Sequence, residues 1–179
     1  CTRIRFLYKH LFPQNEHFVQ LLEFHALTFV ACDNSTTDNA GIIQRTDDFS
    51  TKVKQISEDY TSANYDLANQ TFSDTIQIRY NLAEFSGKEN LIAGFKSEHE
   101  IFTDIEITNQ YAHTNYFSDG AVWTNHWMTW SGTAKHSGEK LEMRIHQDFK
   151  WEEGKIVVIQ AFYSDNKLLR LVGEARATE

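Results

Sequence analysis

The chain is 179 residues long, room for one ordinary domain and an extension, and 41% hydrophobic with 13% aromatic residues supplies ample apolar surface for a core. One proline and eight glycines exclude a collagen-like or low-complexity chain. A formal net charge of -8 disfavours nonspecific attraction to nucleic acid or anionic lipid.

The first residues differ from the rest. CTRIRFLYK carries Arg3, Arg5 and Lys9, FVQLLEFHALTFVAC is largely apolar, and DNSTTDNAG is polar. Basic, then apolar, then small residues ahead of a cysteine is the order of a secretory signal. Phe29-Val30-Ala31-Cys32 resembles a degenerate bacterial lipobox. That resemblance implies lipidation at Cys32, export to a membrane surface and a tether over residues 33–48. Glu23 and His25 interrupt the apolar run, which equally fits a helical or irregular extension on a cytoplasmic protein. Both readings stay open, and the run is too short and too interrupted for a membrane span. The two cysteines, Cys1 and Cys32, both fall in this extension, so a disulfide between them would not staple the core.

Residues 1–48 are therefore expected as an extension and 49–175 as the domain. Ser50 is a candidate cap for a helix bearing Val53, Ile56 and Tyr60 at helical spacing. Asn64-Tyr65-Asp66 interrupts it, and Leu67, Ala68 and Phe72 suggest a short second helix. TIQIRY (75–80) alternates as a strand does, with Ile76, Ile78 and Tyr80 on one face. Ser86-Gly87-Lys88-Glu89 has capping-box spacing and opens a helix with Leu91, Ile92, Phe95 and His99 on one side. No further helix is expected. Strands follow over about 102–117, 120–131, 140–151 and 155–164, joined by turns at Asp119-Gly120, Ser137-Gly138 and Glu152-Glu153-Gly154.

Helices first and a long meander after is an α+β pattern. In particular, ANYDLANQTFSDTIQIRYN with FSGKENLIAGF, and the meander from WTNHWMTWSGTAKHSGEKLEMRIHQDFKWEEGKI to VVIQAFYSDNKLL, resemble the SnoaL-like branch of the nuclear transport factor 2-like superfamily. The resemblance covers roughly residues 49–172. It implies a cone-shaped fold, with N-terminal helices packed on a strongly curved antiparallel sheet around a pocket, and a homodimer through the convex sheet face. Polyketide cyclases, isomerases, dehydratases and non-enzymatic proteins share that fold, so it implies a pocket and no particular reaction.

Strand alternation places Trp123, Asn125, Trp127, Thr129 and Ser131 on one side, and Val122, Thr124, His126, Met128 and Trp130 on the other. Trp123 and Trp127 are the candidate cavity wall, with Tyr60 and Gln160 as further ligand contacts. The resemblance points His146 into the cavity and matches Asp165 to a recurring aspartate. A carboxylate holding an imidazole tautomer suits proton transfer, with Tyr163 or Tyr60 donating to an enolate-like oxygen. His146, Asp165 and Tyr163 are thus the candidate catalytic set. Asp165 as a turn residue and His146 on a solvated face remain the plain alternatives.

No Gly-rich phosphate loop, G-x-S-x-G elbow, HExxH or zinc spacing occurs, and neither cofactor nor metal is expected. Two functions remain: acid-base chemistry of cyclase, isomerase or dehydratase type on a small apolar or amphipathic molecule, or noncatalytic ligand binding or dimerisation. No nucleic-acid partner is expected, and a membrane is met only through a lipid anchor.

Overall fold

Residues 40–177 are described by the computed structural model, so Cys1, Cys32 and the signal-like segment lie outside the described residues. Helix α1 (Asp48–Thr61) starts at Asp47, whose extended backbone and side chain form the cap. The Asp47 carboxylate accepts the Ser50 N–H at 2.9 Å, one of the donors that a helix start leaves unpaired. Ser50, the cap expected from sequence, is instead fully buried within the first turn. Val53, Ile56 and Tyr60 then face the sheet as one buried stripe.

The short helix α2 (Asp66–Thr71) runs directly into strand β2 (Phe72–Tyr80), which turns back as β3 (Ala83–Ser86). Helix α3 (Lys88–Ile101) opens without the expected capping box. Gly87 is its cap residue, at φ 96°, and no side chain caps the start. Its N–H is taken by the Ile76 carbonyl at 2.9 Å, a left-handed geometry that glycine adopts without strain. The meander comprises β4 (Phe102–Phe117), β5 (Val122–Ala134), β6 (Lys140–Glu152) and β7 (Lys155–Phe162). Two elements go beyond the sequence reading. Strand β1 (Gly41–Gln44) pairs with β4, and helix α4 (Asn166–Ala177) follows β7 with Leu171 fully buried. Residues 41–48 therefore supply a strand and a helix cap, in a stretch read from sequence as tether.

The seven strands lie in the order β1-β4-β5-β6-β7-β2-β3. The expected sheet is antiparallel throughout; here β2 runs parallel to β7, which makes the sheet mixed. Nor is the sheet strongly curled. Strong curvature needs bulges repeated across neighbouring strands. The central β5–β6 pair instead keeps one unbroken register from Val122↔Trp151 to Thr133↔Lys140, while the β4–β5 pair shifts at Thr103/Glu106 and Thr108/Tyr111. Among the described residues β1 and β3 are the outermost strands, and they do not pair with each other.

The helices cover one sheet face. One apolar cluster joins Val53, Ile56, Phe72, Ile78, Phe149 and Ile159; another joins Tyr60, Phe102, Met128, Trp130, Met143 and Leu171. The candidate site lies where the two clusters meet.

Candidate functional site

A cavity of about 90 Å³ opens between α1, α3 and the covered face of β5, β6 and β7. A water-sized probe needs roughly 10–15 Å³ of such space, so the cavity has room for about half a dozen small heavy atoms. Its walls are mainly aromatic and aliphatic side chains, among them Phe95, Phe102, Met128, Trp130, Met143 and Tyr163. Among the described residues, one carboxyl lies in this wall, that of Glu98, and no Lys, Arg or His lines the space.

Glu98 sits in the last turn of α3, one helical turn beyond Phe95 and on the same side as Leu91. Its Oε2 accepts the Tyr60 hydroxyl at 2.5 Å, and the Tyr60 oxygen in turn accepts the Trp130 indole N–H at 3.2 Å. The Tyr60 carbonyl meets His99 Nε2 at 2.8 Å, which ties α1 to α3 beside the carboxyl. Burial pushes the Glu98 carboxyl up to about 7, and the Tyr60 hydrogen bond only partly offsets it. Burial, then the Glu98 charge, lifts Tyr60 far above the ordinary phenol range. The same two causes raise Tyr65 and Tyr80, and bring Tyr163 to about 12. Four phenols kept neutral around one carboxyl that titrates near neutrality is an arrangement able to accept and return a proton.

Of the residues singled out from sequence, Tyr60 and Tyr163 line this cavity. His146, Trp123, Trp127 and Gln160 do not. The strand alternation holds as read, but the cavity-facing set on β5 is Met128 and Trp130, and on β6 Met143, Ile145, Gln147 and Phe149. His146 lies on the opposite sheet face, with its Nε2 3.0 Å from Asp148 Oδ1 but without hydrogen-bond alignment. Asp165 accepts from Asn81 Nδ2 at 2.9 Å, just before α4. No ion pair or hydrogen bond joins His146 to Asp165 among the described residues. Asn81 matters indirectly: it also donates to the Tyr163 carbonyl at 3.0 Å and accepts the Tyr163 N–H at 3.1 Å, clamping the backbone of a cavity residue.

The sheet face that no described helix covers carries its own aromatic row. Register places Tyr111, Trp127, His146 and Phe162 side by side across β4 to β7, a span of about 14 Å. Trp127 and His146 stack with centroids 4.5 Å apart and planes 3° from parallel. Arg45 lies over the Tyr111 ring at 4.9 Å. Tyr111, Trp127 and Phe162 are 39%, 37% and 48% exposed, more than a water-facing sheet surface needs.

No family model and no curated protein matches the sequence. Solved structures do match in shape. A hypothetical protein with a ketosteroid isomerase-like fold from Catenulispora acidiphila, solved in complex with trimethylamine, aligns at 15% identity over 68% of this chain and 92% of its own, with a TM-score of 0.54. A candidate SnoaL-like polyketide cyclase from a Jannaschia species aligns at 15% identity over 72% and 96%, TM-score 0.53. A nuclear transport factor 2-like protein of unknown function from Burkholderia pseudomallei gives 11% identity, 68% and 95%, and 0.53. The chain has the SnoaL-like, nuclear transport factor 2-like fold. At these identities the likeness is one of fold. Glu98, the polar focus of the cavity, was not among the residues singled out from sequence; its place at helical spacing from Leu91 and Phe95 was the available signal.

Proposed function

We propose that the SnoaL-like domain binds a small, largely apolar molecule in the helix-covered cavity and performs acid-base chemistry on it, with Glu98 as the proton acceptor. The observation that carries this reading is a single carboxyl, raised to about 7 and hydrogen-bonded to Tyr60, set in an otherwise apolar cavity. A base with that affinity is half ionised near neutral pH and can both take and return a proton. On a ligand with an acidic C–H beside a carbonyl, the proton moves to Glu98 and the electron pair moves onto the carbonyl oxygen. Tyr163 lines the same cavity and its hydroxyl makes no hydrogen bond to the described residues, leaving it as the donor to that oxygen. A related fold solved with trimethylamine supports small-molecule occupancy. Cyclopentanone in deuterium oxide is a suitable probe. Wild-type protein should speed exchange of its α-protons, and Glu98→Gln should return the rate to background while Tyr163→Phe lowers it. If the wild type binds the ketone without exchange, the noncatalytic binding reading replaces this one.

The aromatic row on the uncovered face supports a homodimer through that face. Sedimentation at micromolar concentration should give twice the chain mass, and Trp127→Arg should halve it; a wild-type monomer there refutes the pairing. Export and lipidation rest on the sequence pattern around Cys32 alone, and mass spectrometry of the mature N terminus tests them. No described helix is long and apolar enough to cross a membrane.

A further inference from the structure

The hydrogen bonds around Glu98 bear on what the cavity would hold. Tyr60 has one hydroxyl proton, and it is already given to Glu98 Oε2. The indole N–H of Trp130 is given to the Tyr60 oxygen. These two donors are therefore engaged in the chain that holds the carboxylate. Glu98 Oε1 accepts no hydrogen bond from the described residues, so one oxygen of a desolvated carboxylate is left for a ligand. Around it stand the rings of Tyr60, Phe95, Phe102, Trp130 and Tyr163, and no basic side chain shares the space. Aromatic side chains lining a cavity beside a buried acid favour a compact cation over an anion. A carboxylate ligand would instead meet Glu98 as a like charge with nothing to compensate it.

We infer that the cavity selects a small alkylammonium: a protonated tertiary amine, or an amine-bearing substrate, whose N–H donates to Glu98 Oε1 while its alkyl groups lie against the rings. This rests on the reading of the cavity as the ligand site with Glu98 as its polar centre, and it is independent of whether proton transfer on carbon follows. The cavity volume of about 90 Å³ matches an ammonium head with two or three short alkyl arms and excludes a long-chain or polycyclic ligand without opening of the helices.

The chain offers a direct readout, because its two methionines, Met128 and Met143, both line the cavity. Their methyl resonances can be followed by NMR as N,N-dimethylethylammonium is added, beside 2-methyl-2-butanol, a neutral molecule of similar shape. The expected result is that both methyls shift and that the ammonium binds at least tenfold more tightly than the alcohol. In Glu98→Gln, which keeps an acceptor for Tyr60, that preference should fall to about unity. Equal or tighter binding of the alcohol by the wild type overturns the ammonium assignment and leaves the cavity reading intact. An ammonium preference that survives in Glu98→Gln also overturns it, since the charge would then be recognised elsewhere. If neither probe moves either methyl, the ammonium assignment and the cavity reading fall together. Ketone exchange without ammonium preference leaves only the proton-transfer reading standing.

Discussion

Replacing Glu98 by glutamine should stabilise the protein at alkaline pH, the reverse of what most substitutions do. The carboxyl titrates near 4.5 in the unfolded chain and at about 7 in the folded one. Between those values the folded state holds a proton that the unfolded state has released. Stability therefore falls as pH rises through this window, by about 1.4 kcal/mol per pH unit, and levels off above 7. From pH 5 to pH 8 the loss is about 3 kcal/mol. Glutamine does not ionise and keeps an acceptor for Tyr60, but its amide N–H₂ brings donors into the cavity, an unmet cost of about 1–3 kcal/mol. That cost is the same at both pH values. The quantity to measure is thus how the stability difference between Glu98→Gln and wild type changes from pH 5 to pH 8, by urea unfolding followed through tryptophan fluorescence. It should move in favour of the variant by about 3 kcal/mol. Tyr60, Tyr65, Tyr80 and Tyr163 stay neutral across this range. A difference constant to within about 0.5 kcal/mol would refute the buried, raised carboxyl on which the proposed chemistry depends.

Three other substitutions test separate parts of the structure. Asp47 caps α1 and also accepts from Thr114 at 3.0 Å and from Tyr116; burial acts to raise its carboxyl, but these hydrogen bonds outweigh it and hold it below the usual range. Asp47→Ala should cost about 2–4 kcal/mol and Asp47→Asn about half of that in urea unfolding at pH 7, with the gap closing as pH falls below about 4. A Cβ on Gly132 would stand 2.8 Å from Trp130 Cη2 and 3.4 Å from Phe102 Cβ, so Gly132→Ala should destabilise by about 1–2 kcal/mol and shift the Met128 methyl resonance by moving the Trp130 wall. His126 is fully buried and meets Gln110 Oε1 at 3.1 Å; burial lowers it to about 4, so its contribution is present above the unfolded value of 6.5 and is lost as pH falls toward 4. His126→Gln should lessen the fall in stability between pH 6.5 and pH 5 by about 2 kcal/mol, and an unchanged slope would rule out a neutral buried imidazole.

The meander was legible because its strands alternate over many residues and its turns are marked. Glu153 and Gly154 both adopt positive φ in the two-residue turn that joins β6 to β7. Parity on β5 was legible for the same reason. Which parity faced the cavity was not, because both sides are aromatic: Trp130 and Met128 fill the covered side while Trp123 and Trp127 join the uncovered one. Period two sorts side chains into two sets and does not say which set the helices cover. His146 and Asp165 were paired through the family resemblance and not through the strand pattern; register instead sets His146 beside Trp127 and Phe162. Glu98 needed tertiary structure, since only the packing of α1 over the end of α3 takes its carboxyl out of water. The flatter sheet likewise follows from an unbroken β5–β6 register that residue patterns cannot report.

The parallel β2–β7 pairing has a consequence in time as well as space. It joins Ile78 to Ile159, so the seam that completes the cavity links segments about eighty residues apart. During synthesis, β2 and β3 emerge long before β7, the strand that pairs with β2, and α1 has no finished surface to cover until the meander is made. Closing so long a loop is slow because chain entropy is lost before any contact returns it. The cavity thus cannot be complete until β7 and the start of α4 have been made, and Tyr60, Glu98 and Tyr163 converge only then.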